Sequence, residues 1–214
     1  MKSSKVLASL AVALITALCV PQASAQLNLA NLGNLQKSLG GFKDLLGGSL
    51  GSLKDISKHV GSPEKLRSSV DGFLKNYDGL SSQRGGLRSM ADDLSRDGAE
   101  SMRDIERRIA NTADPKQKQA LTRQHEKTRD ALNKTTASAR STQQRLSPYL
   151  DRMGGVAEKL RLDPSAAGVK SLGNSLDSLV KEGPQMLKSL GGLTKNLGGL
   201  SKGFGGLTGL IPGL

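Results

Sequence analysis

Cysteine is almost missing from this chain of 214 residues: the one thiol, Cys19, lies close to the N-terminus. A disulfide framework within one molecule is therefore excluded. Tryptophan is absent, and three Phe with two Tyr bring the aromatic share to only 2%. Large cores usually take much of their buried area from aromatic rings, so a core here must rest on Leu, Val, Ile, Met and Ala. That composition suits helices packed side by side. No run of β-branched or aromatic residues alternates with period two, so the strand signal is missing as well.

The chemistry-bearing clusters are equally sparse. The two histidines, His59 and His125, fall in different segments, and neither has a second His or Cys three or four residues away. Zinc sites take about four N, S or O ligands. His125 stands beside Glu126, but neighbours on a helix point about 100° apart, so a solvated or seam-edge histidine is expected rather than a catalytic pair. Asp92, Asp93 and Asp97 lie among Arg88, Arg96 and Arg103. A calcium loop needs an irregular turn and a late bidentate Glu, so these aspartates read as a salt-bridged helix surface. No Gly-x-Ser-x-Gly elbow and no glycine-rich phosphate loop is present. The expectation is a protein with no catalytic residue, no metal and no cofactor.

What the chain does have begins with an export signal. Lys2 and Lys5 precede a largely apolar run from Val6 to Val20, and Ala23-Ser24-Ala25 has the small-x-small spacing of a signal peptidase site. Cleavage after Ala25 would leave Gln26 first and remove Cys19. The alternatives are an uncleaved anchor, for which the run is short, and lipidation of Cys19, which Leu18 disfavours because a small residue normally precedes a lipidated cysteine. A bacterial periplasm or the cell exterior is the expected destination. The sequon at Asn133-Lys134-Thr135 would matter only in a eukaryotic secretory pathway.

The formal charge is +12, or +10 once Lys2 and Lys5 are lost. Residues 63–163 hold 20 basic and 15 acidic side chains. Such mixing marks a solvated helix surface, and the remaining excess suits an anionic lipid or polymer surface. Nucleic acid is not expected as a partner, because stacking aromatics are so few and the export signal leads away from it.

Three pairs, Ser62-Pro63, Asp114-Pro115 and Asp163-Pro164, have the chemistry of helix starts: a side-chain oxygen for the first-turn N–H groups, then a proline that needs no donor. They divide the chain into 1–25 (signal peptide), 26–62, 63–163 and 164–214. Apolar residues follow a 4-3 spacing at Leu66, Val70, Phe73, Tyr77, Leu80, Leu87, Ala91, Leu94 and Ile105. From Leu121 the spacing is unbroken through His125, Thr128, Leu132, Thr135, Ala139, Thr142, Leu146, Tyr149, Met153, Val156 and Leu160. This period keeps one face of a long helix against a partner, and the short link near 111–114 predicts an antiparallel hairpin. The second seam is weakened by three Thr and one His, and Pro148 predicts a kink near 144–148.

The two ends carry a seven-residue unit: LGGLTKN at 190–196, LGGLSKG at 197–203, FGGLTGL at 204–210, and weaker copies from Leu32 to Gly48. One seam is Val169, Leu176, Gly183, Leu190, Leu197, Phe204 and Ile211, with Leu172, Leu179, Met186, Leu193, Leu200, Leu207 and Leu214 beside it. The N-terminal seam is Leu32, Leu35, Leu39, Phe42, Leu46, Leu53, Ile56 and Val60. Lys181, Lys188, Lys195 and Lys202 recur on the opposite face. Three readings stand: helices packed on each other or on the hairpin, helices lying in a membrane interface with lysines outward, or a low-complexity tail disfavoured as helix by its glycines. Gly183-Pro184 predicts a break or bend.

The stretch SPYLDRMGGVAEKLRLDPSAAGVKSLGNSLDSLVKEG at 147–183 resembles an uncharacterised family of bacterial exported helical proteins, and the likeness extends over about residues 100–190. There a long helix leads through a short link into a final helix. Many members carry a lipidated cysteine that this chain lacks. The resemblance implies a helical hairpin and export, and assigns no functional residue.

Together these observations predict an all-α, elongated antiparallel hairpin or bundle with coiled-coil-like heptads and Gly/Leu-rich amphipathic ends. The expected role is an exported, non-enzymatic structural or interaction protein of the cell envelope. Its partner would be a second copy or another helical protein, contacted through Leu39, Phe42, Leu46, Leu190, Leu193, Leu197, Leu200, Phe204 and Leu207. The alternative is association with, or perturbation of, an anionic membrane surface, with the four lysines facing lipid.

Overall fold

The computed structural model describes residues 29–211. The expected leader, its cleavage site and Leu214 lie outside the described residues. Five helices follow in order: α1 (Leu29–Lys58), α2 (Pro63–Ala110), α3 (Pro115–Leu162), α4 (Ala166–Ser171) and α5 (Gly173–Thr208), with no strand among the described residues.

Two of the three proline pairs start helices. Pro63 opens α2 and Pro115 opens α3. The Asp114 carboxylate accepts from the backbone N–H of Lys116 at 2.8 Å and of Gln117 at 3.4 Å, which satisfies donors the first turn leaves free. Ser62 holds an extended backbone but makes no side-chain cap bond. The third pair does not start a helix. Asp163 instead accepts from the Ser165 N–H at 3.1 Å, and the cap is Ser165, whose hydroxyl accepts from Gly168 N–H at 3.3 Å. The short α4 then meets α5 through Leu172.

α2 and α3 have 48 residues each, about 72 Å at 1.5 Å per residue. The packed neighbours are α1–α2, α2–α3, α3–α5 and α5–α1, which closes a ring. Contacts across it run in opposite directions: Gly48 lies by Asn76 and Gly72 by Ser52, Gly98 by Leu132 and Gly154 by Tyr77, Gly183 by Leu50 and Gly198 by Gln36. The result is an up-down-up-down bundle of four long helices. The expected all-α class is therefore the observed one, and the Gly/Leu-rich ends form the two helices that complete the hairpin.

The seam positions line the interior. All twelve expected seam residues of α3 are buried, as are Val169, Leu172, Leu176, Leu179, Gly183, Met186, Leu190 and Ile211 of the C-terminal repeat. In α1, Leu32, Leu53 and Ile56 are buried, while Leu35 is half-buried, as is Val60 beyond its end. Neither expected proline site ends a helix. α3 runs through Pro148 and α5 through Gly183-Pro184. Both prolines are exposed, whereas Tyr149, Leu150 and Met186 beside them are buried. A proline on the outer face loses one hydrogen bond where water can satisfy the freed carbonyl, and the inner face holds the helix together.

Candidate interaction surfaces

The nine residues expected to meet a partner face the inside of the bundle. Leu39, Leu46, Leu190, Leu197, Leu200 and Leu207 have no exposed surface, Phe42 and Leu193 have 1%, and Phe204 has 5%. Within this chain they close the core, the arrangement in which the end helices pack on each other and on the hairpin. The physical reason is that α1 and α5 are neighbours, so the two leucine stripes shield each other and the hairpin seams. Burying each such side chain contributes about 1.5–3 kcal/mol, and one chain supplies both sides of the contact.

Polar residues in and beside the α3 seam set the register of α5. Thr128 and Thr135 donate to carbonyls four residues back, Gln124 and Ala131, at 2.8 and 2.7 Å. Thr135 Oγ1 also lies 3.2 Å from Asn196 O on α5. Gln124 Nε2 donates to Gly203 O at 3.0 Å and Gln117 Nε2 to Leu210 O at 3.2 Å. Gly203 and Gly206 permit this approach, since a Cβ there would press on Thr128 and Gln124 respectively. At the other end, buried Tyr149 donates its hydroxyl to Leu179 O at 2.9 Å. Burial, with the nearby Glu182 carboxylate, pushes that phenol well above its ordinary range.

Beside Tyr149 sits an ionic latch. Arg152 grips Glu182 of α5 with both guanidinium nitrogens, one at 2.8 Å, and Ser178 Oγ donates to the same carboxylate at 2.8 Å. The Arg152 guanidinium lies 5.8 Å from the Tyr149 ring centroid. Arg152 and then Ser178 draw the Glu182 carboxyl down to about 2. A carboxyl held lower in the folded than in the unfolded chain stabilises the fold above its unfolded value, and that contribution disappears as pH falls through the folded value. Urea unfolding of Glu182→Gln should therefore lose part of the decline in stability seen in the parent between about pH 4.5 and 2. An unchanged slope would show the latch to be energetically silent.

The faces turned to water differ in charge. Lys181, Lys188, Lys195 and Lys202 are all exposed along α5. Between them, Gly192 and Gly199 are exposed with open space where a Cβ would stand. Every arginine belongs to α2 or α3. Arg84 bonds Asp151 at 2.7 Å, and Arg161 bonds Asp78. Arg96 bonds Asp93 and Asp97 at 3.0 and 2.9 Å, so these two aspartates form the salt-bridged surface their sequence suggests. His125 is 5% exposed and lies on the seam; its Nε2 is 3.5 Å from Glu106 of α2. Among the described residues, no three His, Cys, Asp or Glu side chains stand together as metal ligands, and no helix is long and apolar enough to cross a membrane.

Against known proteins, no family model, no curated protein and no solved structure matches this chain.

Proposed function

We propose that this chain is an exported, non-enzymatic structural or interaction protein of the cell envelope, which presents the outer faces of a self-contained helical bundle. The observation that carries this reading is the burial of both Gly/Leu stripes within one chain. Such a bundle needs neither disulfide nor metal to hide its apolar surface, which suits a chain left without cysteine once the leader is removed. Its polar outer faces, rather than the leucine seams, are the surfaces a second copy or another helical protein would meet. The resemblance to exported bacterial helical proteins points the same way. Expression of the full chain in a bacterium, followed by fractionation and intact-mass measurement, tests the proposal. The expected product lies outside the cytoplasm and begins at Gln26. An unprocessed cytoplasmic product would contradict it.

A second reading is supported by the exposed lysine row. α1 and α5 are rich in glycine, and each interior glycine costs about 0.5–1 kcal/mol relative to alanine. These helices therefore depend on their packing, and an anionic membrane surface could compete for the same stripe. In flotation with anionic vesicles, this reading predicts recovery with the vesicles that falls when the four lysines become serine. The first reading predicts no flotation of either form.

A further inference from the structure

Between α2 and α3, in the half of the hairpin nearest the 111–114 link, lies an open groove of about 420 Å³. Arg103 of α2 and Arg129 and Arg140 of α3 line it. None of the three is in an ion pair among the described residues, whereas Arg84, Arg152 and Arg161 in the other half of the bundle each hold a carboxylate on a neighbouring helix. The lining contains one acid, Glu106, so its net charge is positive.

A second, independent feature lies in the same wall. Thr136 lines the groove, is only 8% exposed, and its hydroxyl has no hydrogen-bond partner. Other helical threonines here, Thr122, Thr128, Thr135 and Thr194, donate to the carbonyl four residues back. Thr136 does not, and a buried hydroxyl left unpaired is costly. The oxygen is closed off from solvent, so the side chain must turn about its Cα–Cβ bond toward the groove for a bound acceptor to relieve that cost. Asn133 adds a further donor between the arginines.

We propose that this groove binds a linear oligoanion, of which short-chain inorganic polyphosphate is the simplest form. The spacing carries the choice of an extended ligand over a single ion. Arg129 and Arg140 are separated by about 16 Å along α3 at 1.5 Å per residue. Arg103 stands near the Arg129 end, because Gly98 packs on Leu132 and the two helices are antiparallel. Cationic groups thus mark both ends of a slot whose middle offers hydroxyl and amide donors. Guanidinium forks suit the paired oxygens of phosphate. An acidic helix is a poorer fit, since the apolar lining, Met102 and Leu132, is already 5% and 6% exposed within the chain.

Isothermal titration of the protein from residue 26 onward with short-chain polyphosphate, and separately with orthophosphate, tests the site. Saturable binding of one chain per groove is expected, at least about tenfold tighter for polyphosphate. Arg103→Gln, Arg129→Gln and Arg140→Gln should each weaken it by about tenfold, and Thr136→Val should weaken it while helicity is retained. Glu106→Gln should strengthen it. Arg123→Gln and Arg145→Gln, outside the groove, should leave it unchanged. Absence of saturable binding, equal affinity for orthophosphate, or equal losses in the outside variants would overturn the proposal. Binding to phosphatidylglycerol vesicles without any response to polyphosphate would overturn it in favour of a membrane surface.

Discussion

Replacing Leu193, Leu197 and Leu200 by Ser should unfold the entire bundle, not merely silence one face of it. The three side chains are between 0 and 1% exposed, and they lie on one stripe of α5, which packs on both α1 and α3. Truncating a single buried Leu typically costs about 2–5 kcal/mol, and a polar replacement adds the burial of a hydroxyl. Three such losses approach or exceed the whole stability of an ordinary domain, about 5–15 kcal/mol. The control is Lys188, Lys195 and Lys202 changed to Ser. These are exposed, and surface substitutions of that kind usually stay within about 0.5 kcal/mol each. Circular dichroism with urea titration reads both sets. A triple Leu variant that keeps parental helicity and midpoint would show the stripe to be dispensable to the fold.

Glycine replacement should split into two opposite outcomes according to what surrounds each position. Gly41, Gly47, Gly192 and Gly199 have nothing within 4 Å of an added Cβ, and all four lie inside helices. Alanine there reduces the backbone freedom of the unfolded chain and should stabilise by about 0.5–1 kcal/mol per site. The four together should raise stability by about 2–4 kcal/mol, a gain plainly visible in the urea midpoint. Gly183 and Gly98 behave otherwise. A Cβ at Gly183 would overlap buried Leu50, and one at Gly98 would come within 2.5 Å of Leu132. Overpacking of that kind costs about 1–3 kcal/mol, so both alanine variants should be destabilised. Similar effects at all six positions would contradict the packing described.

Much of this fold is legible in the sequence because its code is periodic. The 4-3 spacing from Leu121 to Leu160 marks residues that are all buried, even where the residue is Thr or His. The polar positions of that stripe have a purpose, since Thr135 reaches the backbone of α5, as does Gln124 beside the stripe. The same spacing continued through α2 would have reached Gly98 and Ser101, which are buried between Leu94 and Ile105. Neither looks apolar, and only the inserted Leu132 explains why glycine occupies the first. Pro148 and Pro184 were legible as residues but not as positions: whether a proline breaks a helix depends on which face it occupies. The direction of the leucine stripes was also hidden. Heptads state that a helix needs an apolar neighbour, not whether that neighbour lies in the same chain. The α2–α3 groove gives no sequence signal, because Arg103 of α2 is brought beside the Arg129 end of α3 only by the hairpin.

The fold depends on α1 and α5 sheltering their leucine stripes inside one molecule. Amide hydrogen exchange read by mass spectrometry, on the protein from residue 26 onward at a concentration where sedimentation shows a monomer, addresses that directly. Without lipid or partner, the amides of Leu39–Leu53 and Leu190–Leu207 should be protected to about the same degree as those of Leu121–Leu160. Exchange at unprotected rates in the first two stretches, with protection confined to the α2–α3 hairpin, would contradict it.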